Sequence, residues 1–185
     1  MGLIDRLQDI PRPIRLEFGG GGTGMSGYIN CDMVVDPETG LVIRLDTELP
    51  LPSYWADEIA GIHVLEHMPW TNVEAIFKEW VRVLRPGGIM VIEVPNMKNV
   101  FEGVLNGSWH LQFNGDNRGG NAMVPIWGEV TPNEFMHHKM GFTPELLKEL
   151  YTRAGLTDLQ WTDNHGVPMP ETQLGWAMRL RGRKT

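Results

Sequence analysis

The segment Ile89-Met90-Val91-Ile92-Glu93-Val94 is a nearly continuous apolar run stopped by Pro95 and Asn96. Such a run marks a strand buried on both faces of a mainly parallel sheet, so it should lie centrally in an α/β fold. It follows the clearest helical pattern of the chain. Between Thr71 and Leu84 the apolar residues Val73, Ile76, Phe77, Trp80, Val81 and Leu84 recur at spacings of three and four, with Thr71 or Asn72 as N-cap. Arg85-Pro86-Gly87-Gly88 ends that helix.

Upstream, Ile14 to Phe18 alternates apolar and polar residues and runs into Gly19-Gly20-Gly21-Gly22-Thr23-Gly24, a strand ending in a loop almost without side chains. Two further strand patterns, Tyr28 to Asp32 and Leu41 to Asp46, each end in a carboxylate, and a fourth spans Ala56 to Ile62 ahead of His63-Val64-Leu65-Glu66-His67. Acids and glycines thus gather at the C-terminal ends of the first four strands, the edge where an open parallel sheet binds its ligand. A glycine loop lets a ligand approach the backbone where a Cβ would block it. Asp32 at the next strand end can accept both hydroxyls of a ribose, and Asp46, one strand further out, can accept from an adenine amino group. Together they describe a cofactor containing adenosine.

From Met97 to Met140 the periodicity is lost, which reads as a long functional loop carrying isolated aromatics. Order returns at Thr143, a predicted N-cap, with Pro144 at the first helical position and Leu146, Leu147, Leu150 and Tyr151 as the buried stripe. Leu159 to Thr162 and Leu174 to Leu180 read as a final antiparallel pair. The chain has 185 residues and suits a single domain, 1–185, with the 97–140 insert inside it. With 16 basic against 23 acidic residues, a broad nucleic-acid face is not expected. No apolar stretch is long enough for a membrane span. One cysteine and an N-terminal segment unlike a secretory signal point to the cytoplasm.

Glu17-Phe18-Gly19-Gly20-Gly21, Gly27 to Asp32, Asp46, Leu49-Pro50-Leu51-Pro52, HVLEH at 63–67, Glu79 to Gly88, Glu93-Val94-Pro95 and Gly141 to Leu147 occur in an order and spacing that resembles the small class I S-adenosylmethionine-dependent methyltransferases of type 11. The resemblance covers about Ile14 to Trp161 apart from the insert. It implies a Rossmann-like, seven-stranded type of sheet, mainly parallel with an antiparallel C-terminal strand, and S-adenosyl-L-methionine as cofactor. Gly19, Gly20 and Gly21 would line its methionine portion, with Glu17 orienting a water or the amino group. Asp32 would hold the ribose, Asp46 and Thr47 would contact adenine, and Ile62 and His63 would lie beside the sulfonium. One feature departs from the family pattern: only Gly19 to Gly27 separate Phe18 from Tyr28, too few for a helical crossover. The first crossover helix is therefore expected to be missing or vestigial, and cofactor binding loose.

The same glycines satisfy G-x-G-x-x-G, but Asp32 follows Gly24 by eight residues and leaves no room for the helix a dinucleotide fingerprint needs. His63 and His67 lie four apart, which invites a metal reading. Glu66 is not at the base position of H-E-x-x-H and no cysteine cluster exists, so no metal is expected. A general-base role for His63 or His67 stands beside the plainer reading that they only hydrogen-bond the loop. His138 falls where the resemblance places a histidine near the acceptor. Trp109, Phe113 and Trp127 are candidates for the acceptor wall, and the insert aromatics fit either a lid or a homodimer contact. The expected reaction is methyl transfer to an oxygen or nitrogen of a small molecule or saccharide. The alternative is a binding module or inactive partner subunit with this fold.

Overall fold

The computed structural model describes residues 7, 10–35, 40–111, 121–129 and 134–185. Seven strands form one sheet: β1 (Arg15–Phe18), β2 (Ile29–Asp32), β3 (Leu41–Val42), β4 (Ala56–Ile62), β5 (Leu84–Pro95), β6 (Leu156–Thr162) and β7 (Ala177–Lys184). Their order is β3-β2-β1-β4-β5-β7-β6. The first five run parallel to their neighbours, and β7 enters antiparallel between β5 and β6. This is the mainly parallel sheet with antiparallel C-terminal strands that the sequence pattern implies. No helix among the described residues is long and apolar enough to cross a membrane.

Parallel strands usually need a helical crossover between them. Here β1 and β2 pair with Leu16 opposite Ile29, yet residues 19–28 form turns and no helix. The loop satisfies its backbone in other ways. Gly19 donates to the Cys31 carbonyl at 3.0 Å, Gly24 to Gly20 at 3.2 Å and the Asn30 side chain to Gly21 at 2.7 Å, while the Met25 amide donates to the Glu17 carboxylate. A helix is dispensable because side chains of the two strands take up the loop's polar groups.

Helix α1 (Val73–Val83) lays Val73, Ile76, Phe77, Trp80 and Val81 on the sheet, with Trp80 edge-on to Phe18 at 5.3 Å. Asn72 stands at its N-cap, but its side chain makes no capping bond. Helix α4 (Pro144–Arg153) starts as the sequence predicts, the Thr143 hydroxyl accepting from the Leu146 amide at 3.3 Å. Leu146 itself is exposed, and the buried stripe is Pro144, Leu147, Leu150 and Tyr151. Both helices pack on the face to which Phe18, Met90 and Ile92 belong. On β5 the alternate residues Ile89, Val91 and Glu93 are only half-buried, so the expected burial on both faces is met on one.

The 97–140 segment is not the long loop expected. Helix α2 (Met97–Leu105), capped by the Asn96 side chain, and helix α3 (Met123–Trp127) pack together around Met97, Val100 and Ala122. The apolar spacing of α2 is present but short, and Gly103 interrupts it. That glycine is required because Trp109 lies against it: a Cβ there would come 2.4 Å from the indole Cδ1.

One ion-pair network ties α1 to the segment leading into β4. Glu79 accepts from the Leu49 amide at 2.8 Å and pairs with Arg82 at 2.7 Å, and Arg82 donates to the Leu51 carbonyl at 2.9 Å and to Ser53 at 2.8 Å. The Arg82 hydrogen bond holds the Glu79 carboxyl below its ordinary value. A carboxyl lowered in the folded state stabilises above its unfolded value and loses that contribution as pH falls through the folded one. Glu79→Gln is therefore expected to cost about 1–3 kcal/mol at neutral pH. The difference from wild type should narrow at an acidic pH below the ordinary carboxylate range, as Glu79 itself takes up a proton. Urea unfolding at both pH values checks this, and an equal gap at both would refute it.

Candidate active site

A cleft of about 250 Å³ opens at the C-terminal ends of β1, β2 and β4. It brings together Gly19, Gly21, Asp32, Asp46, His63 and His67. Glu17, Gly20, Thr47, Ile62 and His138 do not line it. Its apolar wall comes from Met33, Val34, Ile43, Leu45 and Met68, with Phe135, Met136 and Lys139 closing the other side. The sequence pattern singles out none of these eight as a site residue, although Phe135 is one of the insert aromatics it offers for a lid. Met33, Val34 and Leu45 are immediate neighbours of the two acids, and that adjacency was the available signal.

The glycine loop is shaped by exclusion. Gly19 has φ of 78°, in the region that L side chains avoid, and a Cβ on it would lie 2.4 Å from Val64 Cγ2. A Cβ on Gly20 would lie 2.6 Å from Glu17 Oε2 and 2.7 Å from Asn30 Oδ1. Glu17 is buried beneath the loop and burial raises its pKa, so it braces the loop from behind instead of facing the cleft. Asp32 closes the loop from the β2 end, accepting from the Gly21 amide at 3.0 Å and the Val34 amide at 3.1 Å. Each oxygen keeps further lone pairs. Asp46 pairs with Arg44 through both oxygens, at 3.0 and 2.7 Å, which holds its carboxyl below the ordinary range. Thr47 is exposed and donates weakly to the Glu48 carbonyl at 3.4 Å.

The histidines divide into two groups. His63, with φ of 51°, stacks on Trp176 at 5.5 Å and places Nδ1 3.1 Å from Glu66 Oε1 and Nε2 3.2 Å from Glu93 Oε1. Burial alone would lower its pKa, but hydrogen bonds to the two carboxylates outweigh that and raise it to about 9. Such a ring donates from both nitrogens at neutral pH, the opposite of a general base, so the base expected at 63 meets a structural objection. His67 turns the other way. Its ring lies edge-on to His138 at 4.9 Å, with Nδ1 3.2 Å from the His137 carbonyl, and burial lowers its pKa. His138 puts Nδ1 2.9 Å from the Pro125 carbonyl and Nε2 4.0 Å from Glu66 Oε1. The Glu66 carbonyl accepts from the amides of Lys139 and Met140 at 2.8 and 3.1 Å, which clamps the two segments together.

Trp109 and Trp127 lie with α2 and α3, away from the cleft lining, and Phe113 falls outside the described residues. Phe135 is the insert aromatic that lines the cleft, its ring 5.4 Å from the Lys139 ammonium.

Residues 33–92 match a methyltransferase domain family model. A probable S-adenosylmethionine-dependent methyltransferase of Mycolicibacterium smegmatis is 41% identical over 49 residues, 26% of this chain and 18% of the relative. The chain thus spans under a fifth of that relative. Among solved structures, a methyltransferase of Thermotoga maritima described as a possible histamine N-methyltransferase superposes with a TM-score of 0.59 at 15% identity, covering 98% of this chain and 89% of its own. The 1,6-didemethyltoxoflavin N1-methyltransferase of Burkholderia thailandensis, solved with its substrate and S-adenosylhomocysteine, gives 0.55 at 19% identity, over 94% and 72%. At such identities the structural likeness speaks for fold. The family likeness thus rests on residues 33–92 and on the 49 residues shared with the Mycolicibacterium smegmatis relative, and the solved structures carry the α/β fold.

Proposed function

We propose that this chain, which has the fold of the class I S-adenosylmethionine-dependent methyltransferases, holds S-adenosylmethionine in the cleft and transfers its methyl group to an oxygen or nitrogen of a small molecule or saccharide. The observation that carries this reading is the convergence of Gly19, Gly21, Asp32 and Asp46, from three strand ends, on one cavity with an apolar wall. The donor set suits the cofactor: a Cβ-free cradle for the methionine portion, carboxylate lone pairs for ribose hydroxyls, and Ile43 and Leu45 as a slot for adenine.

The cofactor supplies a methyl group on a sulfonium whose charge disappears as the methyl leaves. Positioning and exclusion of water therefore matter more than strong acid or base chemistry. Phe135 and Met136 are the part of the insert that we place over the acceptor. The proton of a hydroxyl or amine acceptor is taken up on the Glu66, His67 and His138 side of the cleft, where His67 is the member that lines it. His63, held between Glu66 and Glu93, positions the Glu66 carboxylate.

Calorimetry with S-adenosylmethionine and S-adenosylhomocysteine, followed by transfer of labelled methyl to a panel of metabolite, glycan and RNA acceptors, tests the reading. Binding with turnover supports it. Tight binding with no product would favour the binding-module alternative, which the helix-free β1–β2 connection keeps in play. Once an acceptor is found, His67→Ala should lower kcat by about a hundredfold and leave cofactor affinity within about twofold, the size of a lost proton-transfer group. Unchanged kcat would remove His67 from the chemistry.

A further inference from the structure

We propose that Glu66, His67 and His138 form a binding site for a divalent metal ion of the zinc type in the wall of the cleft. One donor atom of each lies within 4.8 Å of the others. The sequence offered His63 and His67 as the pair. The fold instead turns His63 toward two carboxylates and brings His138, from the far end of the insert, against His67.

Three independent features fit a ligand set. A backbone carbonyl can only accept, so the contacts of His67 Nδ1 with the His137 carbonyl and of His138 Nδ1 with the Pro125 carbonyl put the hydrogen of each neutral ring on Nδ1. Both Nε2 atoms then keep a lone pair, the tautomer that metal-binding histidines acquire from an outer hydrogen bond of this kind. Glu66 is 1% exposed, and its Oε2 is buried with no hydrogen-bond partner. An orphaned carboxylate oxygen in such a place is costly unless a further ligand completes it. Its other oxygen is held by His63 at 3.1 Å, so the carboxylate is oriented as ligating carboxylates usually are.

Two imidazoles and one carboxylate suit zinc and its transition-metal neighbours; calcium and magnesium take oxygen ligands. Bonds of roughly 2.0–2.2 Å in a tetrahedron need donor atoms about 3.5 Å apart, so the group must close by about 1 Å, within the reach of side-chain rotation. Three protein ligands leave a position open, and His67 faces the cleft. The opposing charge nearby is Lys139, which is exposed and lies over the Phe135 ring. The site does not depend on the methyl-transfer reading, and a metal on His67 Nε2 would occupy the lone pair that proton uptake by His67 needs, so the two roles of His67 exclude one another at any one time.

The test is a zinc titration by calorimetry of chelator-treated full chain, with the cobalt(II) absorption spectrum as a second readout of the ligand set. One equivalent of zinc should bind. Glu66→Gln and His138→Ala should each weaken binding about tenfold or more while retaining the wild-type melting transition, and His137→Ala, whose side chain is outside the trio, should bind like wild type. If Glu66→Gln does not fold, His138→Ala carries the same arm. No zinc bound by folded wild type, a cobalt spectrum of the hydrated ion only, or equal affinity in folded Glu66→Gln and His138→Ala would each overturn the proposal. S-adenosylhomocysteine binding, measured on the same samples, reports on the cofactor cleft separately.

Discussion

Asp32→Ala is expected to lower affinity for S-adenosylhomocysteine by about a hundredfold. A hydrogen bond from a ribose hydroxyl to a carboxylate is worth about 1.5–3 kcal/mol, which corresponds to roughly 10–150-fold in affinity. The substitution also removes the acceptor for the Gly21 and Val34 amides, at 3.0 and 3.1 Å. In a relative with a full first crossover, the helix N-terminus would help fix the glycine loop. Here residues 19–28 contain no helix, so Asp32 both binds and shapes the loop, and the loss should exceed that of the ribose contact alone. Asp32→Asn keeps the size and one acceptor oxygen, and should retain an intermediate affinity. Calorimetric titration of the three proteins decides the matter. Equal affinity in wild type and Asp32→Ala would sink the placement of the ribose.

The fold was legible because its signals are local. Strand patterns at 15–18, 29–32, 56–62 and 89–94 and the stripe of α1 each follow from a few neighbouring residues, and the parallel order follows from alternation, whereas 84–88, which reads as the end of the helix, already belongs to β5. The shortened β1–β2 connection was equally legible, since a count of nine residues excludes a helix. Helix α2 was not, because Gly103 and neighbouring polar residues break its stripe, and only the distant Trp109 explains that glycine. Half of the cleft followed the same logic. Asp32 and Asp46 announce themselves at strand ends, whereas Phe135, Met136 and Lys139 reach the cavity through the insert's return path. The histidines show the limit most plainly. Spacing in the chain pairs His63 with His67, but a positive φ at 63 sends that ring toward Glu93, and His138 arrives from 71 residues beyond His67. Charge and exposure at those positions depend on partners that no local pattern contains.

Trp80→Ala should cost about 3–5 kcal/mol, enough to leave the protein near the limit of folding, because the indole is fully buried at the centre of the α1 face against Phe18 and Phe77. Trp80→Phe is the more informative variant. The indole Nε1 donates to the Leu45 carbonyl at 2.9 Å, and Leu45 lines the cleft directly before Asp46. Removing that donor strands a buried carbonyl at a cost of about 1–3 kcal/mol and frees the segment that would contact adenine. Tyr151→Phe is a matched control: its hydroxyl donates to the Leu180 carbonyl at 2.7 Å, equally buried but away from the cleft lining. Both variants should unfold at lower urea concentration, by comparable amounts. Only Trp80→Phe should also weaken S-adenosylhomocysteine binding, by about three- to tenfold, because the Leu45 turn loses its hydrogen bond to α1 and no helix among the described residues lies between β3 and β4 to replace it. Equal affinity in the two variants would show that the turn carrying Asp46 holds its shape without α1.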